Sequence, residues 1–349
     1  MKIKTLDVIS EMKKNVIKLK AGQVIYPLIL DIHPVMNCCN LNCAWCIGGG
    51  DYDTKIIHKM QYDDIEPVYK NIFQEKEKEN WPMEIHFCGN NSEPLLNRDF
   101  IQKSIENIAE KTRIKIITNG ILLDQYNDII HKVNKINISL DVVSSEDFIK
   151  YKGGKKGDYD KIIQNINHIK ELKKRFKYRT PVIYTSFVIS SSSFDYDKFE
   201  KQCRILRDVG VNHIQVRKDY FNQSLKMSFV KHKVIEIAKR LGAYNENIVY
   251  GLEDENTFDI KFNERTDRIS LNSMICKSFW FWPTIAANGW IYSCAHKANE
   301  NSEHLNVHLE ELKDYYNCIR KRTQEKMEFS CDTPQLCPSN LNYINSLFF

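Results

Sequence analysis

"CCNLNCAWCIGGG", residues 38–50, puts four cysteines within nine positions, and three of them, Cys39, Cys43 and Cys46, fall at the spacing Cys-x3-Cys-x2-Cys. Thiols this dense close a disulfide, hold a zinc ion or carry an iron–sulfur cluster. A chain of 349 residues buries enough surface to need no covalent staple. Its 11 cysteines are an odd number, and the start MKIKTLDVISEMKKN has no apolar signal run, so we expect a cytoplasmic protein without a disulfide framework. Zinc asks for four ligands, usually as two pairs, and Cys38 is poorly placed to be the fourth. Three thiolates suit a [4Fe-4S] cluster with one iron left open.

Outward from this loop the chain is regular. Strand-length apolar runs recur at 24–32, 83–88, 114–118, 135–141, 181–189 and 213–217, separated by amphipathic stretches such as RDFIQKSIENIAEK and YDKIIQNINHIKELKKR. Helical spacing of Leu6, Ile9, Met12, Val16 and Leu19 predicts a leading helix. Strand and helix signals in alternation predict an α/β fold with a parallel sheet, open or curled into a partial barrel. In such sheets reactive side chains collect at the C-terminal strand ends. Beyond about residue 228 the rhythm breaks, and 245–270 reads as polar and irregular. No run approaches the ~20 apolar residues of a membrane span. The net charge of +5 comes from interleaved basic and acidic residues, which read as solvated helix faces and not as a nucleic-acid surface.

The expected strand ends carry chemistry-bearing residues. After the second comes FCGNNSEPLLN, with Cys88, Gly89 and Glu93; after the third, ITNG, with Thr118 and Asn119; in the fourth, ISLD, with Ser139 and Asp141; at the sixth, Arg217 and Lys218. Asn-Gly and Ser-x-Asp also serve as ordinary turn and cap residues. Cys88 reads as a buried small hydrophobe or as a thiol hydrogen donor, His33 as structural, and Cys203 as packing.

Taken together, the cysteine loop with Trp45 before its last thiol, the Glu-Pro-Leu-Leu loop, ITNG and ISLD resemble the radical S-adenosylmethionine (SAM) enzymes in order and spacing. The resemblance implies a partial (βα)6 TIM-like barrel and a [4Fe-4S] cluster on Cys39, Cys43 and Cys46. It also implies SAM bound with the help of Trp45, Gly89, Glu93, Thr118, Asn119, Ser139, Asp141 and Arg217. Glu93 would meet the SAM ammonium, and Arg217 its carboxylate or an anionic substrate group. The sequence departs from the family where Asn90, Asn91 and Ser92 stand in place of a second glycine.

Downstream, CKSFWFWPTIAANGWIYSC spans 276–294 and CDTPQLC spans 331–337. Asn288-Gly289 between apolar flanks predicts a hairpin, and FWFW (279–282) core beneath it. The segment resembles the SPASM and Twitch extensions of radical SAM enzymes, which implies a small C-terminal iron–sulfur domain with one auxiliary [4Fe-4S] cluster on Cys276, Cys294, Cys331 and Cys337. Zinc on the same four is the alternative, and Cys318 reads as packing. The expected division is a helix at 1–22, the core at 23–240, a connection at 241–275 and the auxiliary-cluster domain at 276–349.

The expected reaction is cleavage of SAM to a 5′-deoxyadenosyl radical that removes a substrate hydrogen, with a flavodoxin or ferredoxin as electron donor. The short region ahead of the first strand favours oxidation or epimerisation of an amino-sugar or cyclitol-like small molecule, Cys88 being the catalytic thiol in the latter case. Modification of a ribosomal peptide (thioether, carbon–carbon crosslink or epimerisation) is the alternative, and a non-catalytic metal scaffold the third reading.

Overall fold

Isoleucine alternates with polar residues along the strands, and that period of two decides which side of the sheet faces what. In the computed structural model, which describes residues 8–46, 56–189, 194–218, 227–244, 258–262, 274–298, 307–324 and 329–331, the strands are β1 (Ile29–His33), β2 (Glu84–Phe87), β3 (Arg113–Thr118), β4 (Lys135–Asp141), β5 (Val182–Ile189), β6 (His213–Lys218), β7 (Asp259–Phe262), β8 (Thr284–Ala286) and β9 (Ile291–Tyr292). They form one nine-stranded sheet in the order β9-β8-β1-β2-β3-β4-β5-β6-β7. Every neighbouring pair is parallel except β8 and β9.

Ile85, Phe87, Ile114, Ile116, Ile136, Ile138, Leu140, Ile214 and Val216 form the apolar face and belong to the main core. Against them pack Ile65, Val68 and Ile72 of α2 (Tyr62–Gln74), Phe100, Ile101 and Ile105 of α3 (Arg98–Ile108), Ile162, Ile166 and Ile169 of α5 (Asp158–Phe176), and Phe199, Cys203 and Leu206 of α6 (Tyr196–Val209). Each such side chain contributes roughly 1.5–3 kcal/mol by leaving water. Between α3 and α5 lies the short α4 (Ser145–Lys152), capped by Ser144, whose hydroxyl accepts from the Asp147 amide, and ended by Gly153 at φ +65°. With β1 to β6 joined by helices that cover one face, the sheet is the expected partial barrel, its alternate polar positions turned to the concave side. Among the described residues no helix is long and apolar enough to cross a membrane.

Three features depart from the sequence reading. The strand expected over 24–32 is shorter: after the leading helix α1, described over Val8–Lys20, β1 starts only at Ile29. The polar stretch after 245 contains β7, a seventh strand parallel to β6. The β8–β9 hairpin turns at Asn288-Gly289 as expected, with Gly289 at φ +83°, where a Cβ would run into the His308 ring. Its strand β8 pairs directly with β1, Asp31 opposite Thr284 and His33 opposite Ala286. Nearby, Met274–Cys276 pairs antiparallel with Phe329–Cys331, Cys276 opposite Phe329. α7 (Met227–Arg240) follows β6, and α8 (Tyr315–Gln324) is tied to α2 by the Tyr316 hydroxyl, which donates to the Ile72 carbonyl at 2.8 Å. Gly48, Gly49, Gly50 and Cys337 lie outside the described residues.

Candidate active site

The cysteine loop leaves β1 and seats on the end of α4. Two carbonyls that the last helical turn leaves without intrahelical partners are taken by the loop: Asn42 N–H donates to Lys152 O at 2.9 Å and Ala44 N–H to Tyr151 O at 2.8 Å. Trp45 lies over Tyr151 with ring centroids 5.9 Å apart. The seating aims Cys39, Cys43 and Cys46 into a cavity of about 330 Å³ at the C-terminal ends of the strands.

Every strand from β1 to β6 contributes to that cavity. Asp31 comes from β1, Cys88 and Gly89 from the end of β2, Ile117, Thr118 and Asn119 from β3, Asn137, Ser139 and Asp141 from β4, Ser186 from β5, and Gln215 and Arg217 from β6. Trp45, Glu93, Lys152, Trp282, Cys294 and His296 also line the cavity. The structure thus gathers the expected Cys39, Cys43, Trp45, Cys46, Cys88, Gly89, Glu93, Thr118, Asn119, Ser139, Asp141 and Arg217 in one place, and adds Cys294.

Cys276 is not part of that wall. It is buried beside Ser278, with Sγ 2.9 Å from the Ser278 hydroxyl. The backbone of Cys331 lies two positions along the ribbon that contains Cys276. Of the FWFW run, Phe279, Trp280 and Phe281 are core, whereas Trp282 faces the cavity with its ring edge-on to His86.

The Glu93 carboxylate is held by three donors. Its Oε1 accepts from the Thr118 hydroxyl at 2.7 Å and the Leu95 amide at 3.1 Å, and its Oε2 from the Asn119 amide at 2.8 Å. Burial raises its pKa even against these donors. Gly89 is required by closeness, since a Cβ there would overlap Ser92. The residues that replace a second glycine are all engaged: the Asn90 amide donates to His296 O at 3.1 Å, Asn91 to Asn37 Oδ1 at 2.5 Å and the Ser92 hydroxyl to Val35 O at 2.6 Å.

Lys152, which the sequence reading missed inside YKGGKK, is buried in the wall. Its Nζ lies 3.1 Å from Asp141 Oδ2 and donates to Ser139 O, while Ser186 Oγ donates to Asp141 Oδ1 at 2.9 Å. Asp141 reaches both because β4 shifts register there and the residue adopts φ +60°. Burial pushes Lys152 toward neutrality, but Asp141 and the nearby thiols outweigh it and raise its pKa.

The donor set fits a [4Fe-4S] cluster. Burial, with Glu93 adding to it, holds the Cys39 thiol up at about 12, and burial against the pull of Lys152 holds Cys43 at about 11, so binding falls to a group whose own positive charge stabilises the thiolates. Among the described residues no three His, Cys, Asp or Glu converge on a point as a single ion requires. The three thiols ring a cavity instead, as a multi-iron cube requires.

Residues 33–186 match the model of the radical SAM superfamily. The chain is 29% identical over 131 residues, 37% of its length, to a probable GTP 3′,8-cyclase of Archaeoglobus fulgidus, and 25% identical over 277 residues, 73% of its length, to the radical SAM cyclopropyl synthase TigE of Paramaledivibacter caminithermalis. These matches span 40% and 55% of the two relatives' own lengths. In fold it is similar to Streptococcus suis SuiB bound to SAM, with a TM-score of 0.62 at 14% identity over 97% of this chain and 79% of that one. SuiB has also been solved with its precursor peptide SuiA. The cofactors of the family are a [4Fe-4S] cluster and SAM. The matched segment opens at His33, just ahead of the three thiols, and closes at Ser186, whose hydroxyl fixes Asp141 inside the cavity: residues 33–186 carry a radical SAM domain.

Proposed function

We propose that Cys39, Cys43 and Cys46 hold the cluster, and that the enzyme takes a hydrogen atom from a small polar molecule and returns one from Cys88, an epimerisation. Bound here, the cluster and SAM supply a 5′-deoxyadenosyl radical. Glu93, oriented by Thr118 and Asn119, receives the SAM ammonium, and Gly89 gives it room. Lys152, the buried cation whose charge reaches Cys43 and Cys39, faces the SAM carboxylate. That leaves Arg217, whose buried Nε has no hydrogen-bond partner among the described residues, and the equally unpartnered Oδ1 of Asn137 to a polar substrate. Ser139 and Trp45 line the remaining cofactor wall.

The observation that carries this reading is Cys88 itself. It closes β2 within the same cavity as the three thiols, and burial beside Asp31 keeps its thiol protonated, the form that gives up a hydrogen atom. The test starts with anaerobic reconstitution, dithionite and SAM: absence of 5′-deoxyadenosine would sink the radical reading. Candidates suggested by neighbouring genes are then turned over in deuterium oxide, and product without carbon-bound deuterium counts against epimerisation.

A second reading, modification of a ribosomal peptide, is favoured by the likeness to SuiB along most of the chain; a short open reading frame beside the gene whose peptide is altered by the enzyme would establish it. In either case we assign the auxiliary [4Fe-4S] cluster to Cys276, Cys294, Cys331 and Cys337, as a relay to a flavodoxin- or ferredoxin-type donor in the cytoplasm. Zinc in place of iron after reconstitution would refute that assignment.

A further inference from the structure

Beneath the cavity the concave face holds a line of charged side chains that the cofactors do not account for. Asp31 lines the cavity, and its Oδ1 lies 3.0 Å from His86 Nδ1. His86 Nε2 is hydrogen-bonded to Glu84 Oε2 at 2.9 Å, and Glu84 Oε1 is 2.9 Å from Arg113 and 3.5 Å from Lys135. His86 is 1% exposed, and the edge of Trp282 closes over it.

The chemistry of this line is constrained. Although burial works the other way, His86, Lys135 and Arg113 hold Glu84 well below the usual carboxylate range, so it stays an anion and takes the Nε2 hydrogen. The opposite nitrogen then faces a second carboxylate. A carboxylate oxygen and an imidazole nitrogen 3.0 Å apart in a buried site are placed to pass a proton between them. The Nδ1 contact is at ion-pair distance without hydrogen-bond alignment, so the ring is firmly bonded to Glu84 and loosely to Asp31. The charged groups facing Asp31 and Cys88 from the neighbouring strands are His86 and Lys115.

We propose that Asp31 and His86 form an internal proton source that reloads Cys88, with Glu84 as the positioning residue that holds the imidazole. This rests on the reading of Cys88 as hydrogen donor. When the Cys88 S–H bond breaks and its hydrogen atom forms a C–H bond on the substrate radical, a thiyl is left. One electron from a low-potential iron–sulfur or flavin donor and one proton restore the thiol. The proton leaves Asp31 or Nδ1, and water refills the pair once product has left. An internal source is needed because Cys88 is 4% exposed and a filled cavity excludes water.

The test reads exchange of the buried thiol directly. Reconstituted enzyme with SAM and no reductant is moved into deuterium oxide, and conversion of S–H to S–D is followed by infrared spectroscopy, the Cys88 band being the one missing from Cys88→Ala. Asp31→Asn and His86→Gln should slow that conversion about 10²-fold, the scale of lost acid–base assistance. The Cys203 thiol, fully buried on α6, is the internal control. A variant that merely loosens the fold speeds exchange at both thiols, the opposite sign, and that result or an unchanged Cys88 rate overturns the relay.

A second measurement separates the two readings. Dithionite is added in deuterium oxide without substrate, and deuterium in 5′-deoxyadenosine is weighed. Deuterium retained in Cys88→Ala removes the donor role, whereas deuterium lost there together with wild-type thiol exchange in Asp31→Asn removes the relay alone.

Discussion

The side-chain amide of Asn90 donates to the backbone carbonyl of His296 at 3.1 Å, joining the loop after β2 to the turn after β9 across 206 positions of sequence. Asn90 is also bound from the cluster side, since the Cys46 thiol lies 3.6 Å from its carbonyl oxygen. One residue thus connects the cysteine loop, the Glu93 loop and the turn that carries Cys294.

Asn90→Ala removes the amide while leaving the backbone contact. A hydrogen bond of this kind is worth about 1 kcal/mol net, so SAM should bind about fivefold more weakly. Equilibrium dialysis with labelled SAM on reconstituted, unreduced enzyme measures this, and unchanged affinity would mean that the joint does not shape the SAM site.

On the proposed ligand set, Cys43→Ala removes one ligand of the initiating cluster and should abolish 5′-deoxyadenosine formation. Cys294→Ala should lower iron content yet leave some uncoupled SAM cleavage. Iron analysis beside product quantification distinguishes the two, and Cys294→Ala with wild-type iron would argue against an auxiliary site there.

Lys152→Met leaves Asp141 as a buried carboxylate with no cation. Breaking such a pair costs about 3–5 kcal/mol, and Lys152→Met with Asp141→Asn should recover most of it. Anaerobic urea denaturation of both variants checks the expectation, which fails if the double variant is no more stable than the single one.

His33 is buried at the end of β1 with neither ring nitrogen hydrogen-bonded among the described residues, and burial lowers its pKa from 6.5 to about 4, against the smaller opposing pull of Asp31. Between those values the unfolded chain binds the proton and the folded one does not, so stability is complete above the ordinary value and declines as pH falls toward 4. The decline attributable to this group reaches up to about 3 kcal/mol. Denaturation midpoints across this range should fall less steeply for His33→Gln, and parallel slopes would assign the loss to other groups.

Much of this was legible from the chain. KINISLD is β4 residue for residue, because isoleucine at alternate positions permits no helical face. The thiol spacing and the Asn288-Gly289 turn are likewise local. Lys152 was not legible: a lysine near a helix end in a basic run reads as solvated, and it is buried only because the cysteine loop seats on that helix end. The Asp31, His86 and Glu84 line was hidden for a related reason. Each is one polar letter in a strand, and only parallel register, with Asp31 opposite His86, brings them together. β7 was missed because four residues within a polar stretch carry too little pattern.

The pairing of β8 with β1 has a consequence for how the protein can be cut. β1 lies inside the sheet, hydrogen-bonded to β2 on one side and to β8 on the other. A chain ending at residue 275 would uncover a row of unpaired amides and carbonyls along the strand that launches the cysteine loop, a template for other strands. Excision of the C-terminal segment is thus expected to yield an aggregating half-barrel, whatever becomes of its metal.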